Sequence, residues 1–230
     1  MRAVPLFALV LAVLGVGLAG APGGAQPPPD DPLPGVVPPL VDLADLAPVR
    51  PEARIRWRES KAVGLPYAGR LERGVQLPAE GDTYFTWDSI RKRTPNRGWR
   101  RWGTDRLLRI TLRVARRYAR EHPDAPRLAI GDISRPHGGN FGPQFGGIGH
   151  ASHQNGLDID IYYPRRDRRE RAPATPAQVD LRLSQDLVDR FVAAGAEKVF
   201  VGPSLPLLGP RRVVTPLVHH DNHLHVRLSR

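Results

Sequence analysis

The chain has 230 residues, 40% of them apolar and 25% charged, with no cysteine and a formal net charge of +11. That length and apolar share fit one globular domain plus a leader, and exclude a wholly disordered chain. The lack of cysteine excludes disulfides, a cysteine-ligated structural zinc and a lipid-modified cysteine.

The first element is the leader. Arg2 precedes an apolar run from Ala3 to Leu18, and the small residues Ala19-Gly20-Ala21 follow. These are the three parts of a secretory signal peptide. The run is close to the minimum for crossing a bilayer, so an uncleaved anchor is the competing reading. We expect a signal peptide over residues 1–25, cut between Ala21 and Gln26, with no stable membrane insertion after cleavage. Residues 1–25 carry one Arg and no acid, which leaves +10 on the rest of the chain. A basic surface attracts anionic polymers. For an exported protein, cell-wall polymers fit better than nucleic acid, and plain solubility is the alternative.

Residues 27–40 hold seven prolines. Such a run favours an extended polyproline-II spacer, here of roughly 40 Å at about 3.1 Å per residue. We expect a linker over 26–50 and one folded domain over 51–230. Thr83 to Trp87 reads as a short strand. Arg97-Gly98-Trp99-Arg100-Arg101-Trp102-Gly103 is a basic, aromatic loop. It could stack nucleic-acid bases, but tryptophans in such a loop more commonly pin it to the core.

Thr104 reads as a helix N-cap. Leu107, Leu108, Thr111, Leu112, Ala115, Tyr118 and Ala119 then recur at helical spacing, and Pro123 closes the helix. Leu128 to Ile133 reads as a strand that runs into a Gly-rich loop ending at Gly149. That loop has no phosphate-binding pattern; its glycines suit close backbone approach to a substrate or to the following loop. Leu157 to Tyr163 reads as another strand. Thr175-Pro176 reads as the start of a second helix whose apolar face holds Val179, Leu183, Leu187, Val188, Phe191 and Val192, and Gly195 ends it. Val199 to Val201, Val213 to Val218 and Asn222 to Leu228 are strand candidates. Strands and helices mix without regular alternation, so the expected class is α+β, with a mainly antiparallel central sheet flanked by helices.

Six of the eight histidines lie in two stretches, Gly149 to Tyr163 and His219 to His225. In strands, alternate side chains share a face. His223, His225 and Arg227 then face one way, and Leu224, Val226 and Leu228 the other. Asp158 and Asp160 likewise share a face opposite Leu157, Ile159 and Ile161. Imidazoles and carboxylates on a rigid support suit zinc, whose catalytic sites take three protein ligands and keep one place open. A lone His-x-His is commonly a surface pair, and the His153 to Asp160 spacing is weak alone; the combination is specific.

Ser152-His153-Gln154-Asn155-Gly156-Leu157-Asp158-Ile159-Asp160 and His220-Asp221-Asn222-His223-Leu224-His225-Val226-Arg227-Leu228 closely resemble the penicillin-insensitive murein endopeptidases. Gly131-Asp132-Ile133-Ser134 with Gly138-Gly139 extends the likeness, which runs from about Glu59 to the C-terminus. The resemblance implies a hedgehog/DD-peptidase-like fold, and a zinc ion held by His153, Asp160 and His225. It also implies His223 beside the zinc-bound water, and His150 and His220 as further active-site residues. Asp158 either replaces Asp160 as ligand or orients a ligand histidine. Two features depart from the family: the absent cysteines, and Leu217 where an aromatic is expected. The implied activity is hydrolysis of D-Ala–diamino acid cross-links between peptidoglycan stem peptides, in the periplasm or cell-wall space, by metal rather than serine chemistry. The alternative is a non-catalytic wall-binding domain of the same fold, which would not need His223.

Overall fold

The computed structural model describes residues 55–147 and 149–230. The expected signal peptide and proline-rich linker lie outside the described residues. The strands are β1 (Lys61–Leu65), β2 (Ala68–Glu72), β3 (Val75–Gln76), β4 (Glu80–Gly81), β5 (Tyr84–Thr86), β6 (Trp102–Gly103), β7 (Leu128–Ile130), β8 (Asp158–Tyr162), β9 (Ala196–Val201), β10 (Val214–Pro216) and β11 (His223–Leu228). Helix α1 spans Asp105–Glu121 and α2 spans Leu181–Ala193.

Seven strands form the main sheet in the order β10-β9-β11-β8-β7-β5-β4. Its pairs are antiparallel except β10 with β9 and β5 with β7. The fold is α+β with a mostly antiparallel sheet, as the irregular alternation of elements predicts. The pairs β1–β2 and β3–β6 stand as separate small ladders.

One face of the sheet is the core. Ile159 and Ile161 of β8 and Leu224, Val226 and Leu228 of β11 are buried there against both helices. Burying each such side chain contributes about 1.5–3 kcal/mol. The period of α1 explains its share: Leu107, Leu108, Thr111, Leu112, Val114, Ala115 and Tyr118 lie on its buried side. Thr104 caps the helix by accepting from the Leu107 N–H, which satisfies a donor with no partner inside the helix. At its other end the His122 N–H returns to the Tyr118 carbonyl just before Pro123.

The start of α2 differs from the expectation. Thr175 makes no side-chain cap, and Pro176–Gln178 forms only a 3-10 turn. Asp180 is the N-cap, its carboxylate accepting from the Leu183 N–H at 3.0 Å. A charged acceptor within reach of the first free N–H groups wins over a hydroxyl five residues upstream.

The basic aromatic loop forms a 3-10 turn at Gly98–Arg100 and then β6. Trp99 packs against Phe141 and Phe145, with ring centroids 5.8 and 5.6 Å away. This tryptophan pins the loop, as expected, and the helices leave the second face of β8 and β11 free for polar side chains.

Candidate metal centre

The register of β8 against β11 builds the site. Tyr162 stands opposite His223, Asp160 opposite His225, and Asp158 opposite Arg227. Because side chains alternate, these six share the face away from the helices. His225 Nδ1 lies 3.4 Å from Asp160 Oδ1. Its Nε2 lies 2.7 Å from Asp158 Oδ1, which also accepts from Arg227 Nε at 2.7 Å.

His153 arrives from a loop. Its backbone is left-handed, with φ 69, a conformation that costs a non-glycine residue about 1–3 kcal/mol. Two contacts over-determine it. The Ser134 hydroxyl donates to the His153 carbonyl at 2.5 Å, and His153 Nδ1 lies 2.6 Å from the Ile133 carbonyl. A carbonyl only accepts, so Nδ1 carries the proton and Nε2 is left facing Asp160 Oδ1 at 3.3 Å. Gly138 lets the neighbouring loop close on this one: a Cβ there would sit 2.0 Å from the Gln154 carbonyl, and its φ is +67.

His150 completes the group. Its Nδ1 lies 3.9 Å from Asp160 Oδ2, and its ring centroid is 4.4 Å from that of His153. Ligand atoms of His150, His153 and Asp160 all lie within 4.8 Å of one another, and the His225 ring is 4.7 Å from that of His153. His223 points Nε2 towards Asp160 Oδ1 at 3.7 Å, while its Nδ1 is 2.7 Å from Asn222 Oδ1. His220 stands further out, its ring 4.7 Å from that of His223. Of the expected site residues, four histidines converge on the Asp160 carboxylate, and His220 stands behind them, against the rings of His223 and His225.

The charges follow from this packing. Burial would raise the pKa of Asp160, but the surrounding imidazoles, His153 foremost, hold it well below the usual carboxylate range. Burial pulls His153 down, and Asp160 more than reverses this, so His153 rises to about 9. Burial dominates at His223 and lowers it to about 4. His225 is also lowered, chiefly by burial and against the hydrogen bond it donates to Asp158. Asp158 is resisted by burial, but the His225 hydrogen bond brings it to about 2.

The group opens into a cleft of about 600 Å³. Tyr67, Ile90, Leu217 and Val218 line it and are all exposed. Leu217 therefore does face the cleft at the position where the resemblance expects an aromatic. Ser89-Ile90-Arg91-Lys92 has the Ser-x-x-Lys spacing of acylating serine enzymes, and Ser89 and Lys92 also line the cleft. The stretch is a turn, not a helix start. It is fixed by the Ile90 and Arg91 N–H groups donating to Asp88 Oδ1. Ser89 lies beside the Tyr162 phenol, which is no general base at neutral pH because burial raises its pKa well above 10.

Reading the chain alone missed the partners that hold the histidines. Asp132 and Arg100 form a buried ion pair next to His150, although they lie 32 residues apart. The only signal was Asp132 within the Gly-Asp-Ile-Ser stretch, with no contact attached to it.

The family model of the penicillin-insensitive murein endopeptidases matches residues 62–200. That span includes His150, His153 and Asp160 and ends before β11. The chain is 28% identical over 178 residues to the penicillin-insensitive murein endopeptidase of Salmonella heidelberg (strain SL476), a match covering 66% of this chain and 60% of that protein. It is 31% identical over 127 residues to that of Yersinia enterocolitica, covering 44% of each. The matches thus span less than two thirds of these relatives' lengths. With most of its folded part matched by the family model, the chain belongs to the penicillin-insensitive murein endopeptidase family, a family of peptidases.

Proposed function

We propose that the chain is a secreted zinc metallopeptidase that hydrolyses D-Ala–diamino acid cross-links between peptidoglycan stem peptides. One observation carries this reading. His153 Nε2 and Asp160 Oδ1 are buried and face each other at 3.3 Å, and neither makes a hydrogen bond of good geometry. Leaving one such atom unsatisfied costs about 1–3 kcal/mol, and a shared cation satisfies both. Imidazole nitrogen and carboxylate oxygen are donors zinc prefers, so the residues fit the ion. His153, Asp160 and His225 would hold it.

When bound, zinc supplies a Lewis acid for the scissile carbonyl and lowers the pKa of water to about 7. The chain's own residues do the rest. Asp158 fixes His225 by accepting a hydrogen bond from its Nε2–H, which leaves Nδ1 towards Asp160. His223 is neutral at pH 7 because burial depresses its pKa. Asn222 occupies its Nδ1, so Nε2 is free to accept a proton in the cleft or to stabilise a developing anion. His220 packs on His223 and limits its rotation. The exposed apolar side chains on the cleft offer surface to a peptide, and the basic chain attracts the anionic wall.

In this reading residues 1–25 direct export to the periplasm or wall space, 26–50 form a spacer, and 51–230 are the peptidase domain. Among the described residues no helix is long and apolar enough to cross a membrane. The test is digestion of purified sacculi with and without a chelator, read by mass spectrometry. Cross-linked dimers should disappear only without chelator; dimers that persist in the uninhibited reaction exclude the activity.

A further inference from the structure

We propose that Asp132 is a positioning residue that holds His150 as its Nε2–H tautomer and turns the Nδ1 lone pair towards Asp160. Asp132 is 3% exposed and sits just after β7. Its Oδ1 accepts from Arg100 Nε at 2.6 Å and from Asn96 Nδ2 at 2.9 Å. Its Oδ2 accepts from Arg100 Nη2 at 2.6 Å and lies 2.8 Å from His150 Nε2.

A carboxylate facing three other donors has no room for a proton of its own and acts only as an acceptor. The fourth contact is then a donor as well, so His150 carries its proton on Nε2. Nδ1 is left with a lone pair, 3.9 Å from Asp160 Oδ2.

The clamp is itself held in place. Arg100 Nη1 donates to the Phe145 carbonyl at 2.8 Å, and its guanidinium lies over Trp99 and Phe141 at 4.9 and 4.8 Å. Phe141 also packs on the His150 ring at 4.9 Å. The basic aromatic loop and the Gly-rich loop are thereby tied to one imidazole. The arrangement repeats on the other side of Asp160, where Asp158 bridges Arg227 and His225 Nε2 and leaves Nδ1 inward. Two buried aspartates, each paired with an arginine, thus present two imidazoles to one carboxylate with the same nitrogen.

Two-bond 1H–15N correlation spectra of the metal-free, 15N-labelled chain, taken where His150 is neutral, test this directly. The wild type should show the Nε2–H pattern at His150. D132N, whose amide cannot accept from all four donors, should lose that pattern. The Nδ1–H pattern in the wild type overturns the proposal, and that result needs no variant to fold. On sacculi, D132N and H150A should each lose about 10–100-fold in activity, and the double variant should lose no more than the larger single loss. Losses that multiply, or a D132N spectrum unchanged at His150, also overturn it. The inference adds to the peptidase reading: an inactive wild type would count against that reading, and the tautomer would still be decided by the spectra.

Discussion

Asp160 and His225 stand opposite each other in adjacent antiparallel strands, with Oδ1 and Nδ1 3.4 Å apart. Every other feature of the site is arranged about that pair. The strands supply rigidity because their reverse face is core, and the loops bring His150 and His153 to the same carboxylate.

The two aspartates of β8 should separate cleanly. Asp160 faces the imidazole nitrogens, whereas Asp158 Oδ1 is occupied by His225 Nε2 and Arg227. Asp160→Ala should lose bound zinc after dialysis. Asp158→Ala should keep most of it at saturating zinc, with affinity lowered about 10–100-fold through a loosened His225. Metal analysis giving the reverse order would reassign the ligand.

His223→Ala should bind zinc like the wild type and lose about 100- to 10,000-fold in turnover, the usual range for a proton-transfer group. Metal content and sacculus digestion measured on the same preparation decide this. Full activity would remove His223 from the chemistry and favour a wall-binding or differently catalysed role.

The metal-free chain should be most stable near neutral pH. His153 titrates at about 9 when folded against about 6.5 unfolded, so its contribution is complete below 6.5 and is lost as pH rises through 9. His223 titrates at about 4 when folded, so its contribution is present above 6.5 and is lost as pH falls to 4. Asp158, at about 2 when folded against about 3.9 unfolded, extends the acid loss below pH 4. Urea midpoints in chelator should therefore fall on both sides of neutrality. Zinc should remove the alkaline decline, since binding displaces the His153 proton. A midpoint that climbs steadily to pH 9 in chelator would contradict this.

Much of this was legible in the chain. The alternation in β8 and β11 marked which side chains share a face, and the period of α1 marked its buried stripe and its Thr104 cap. The start of α2 is not where Thr175-Pro176 points: that pair has the local chemistry of a helix start but opens only a 3-10 turn, and Asp180 reaches the Leu183 N–H. The Ser-x-x-Lys spacing at Ser89 and Lys92 has no catalytic setting because it folds as a turn. The pairing of Asp132 with Arg100 and His150 was not legible. It depends on a loop and a strand terminus meeting in space, and no local pattern encodes that meeting.

The supporting face makes a control. Leu224 is fully buried on the side of β11 opposite His223 and His225. Leu224→Ala should lower unfolding free energy by about 2–5 kcal/mol, read by denaturant titration, while zinc stoichiometry in the folded protein stays that of the wild type. Loss of zinc at full stability would contradict the division of the strand into a core face and a site face.

The most direct test is a crystal of the zinc-soaked chain measured at the zinc absorption edge. One anomalous peak should lie about 2.0–2.2 Å from His153 Nε2, an Asp160 oxygen and His225 Nδ1. A peak that leaves any of these three out of bonding reach, or no peak at this carboxylate, would contradict it.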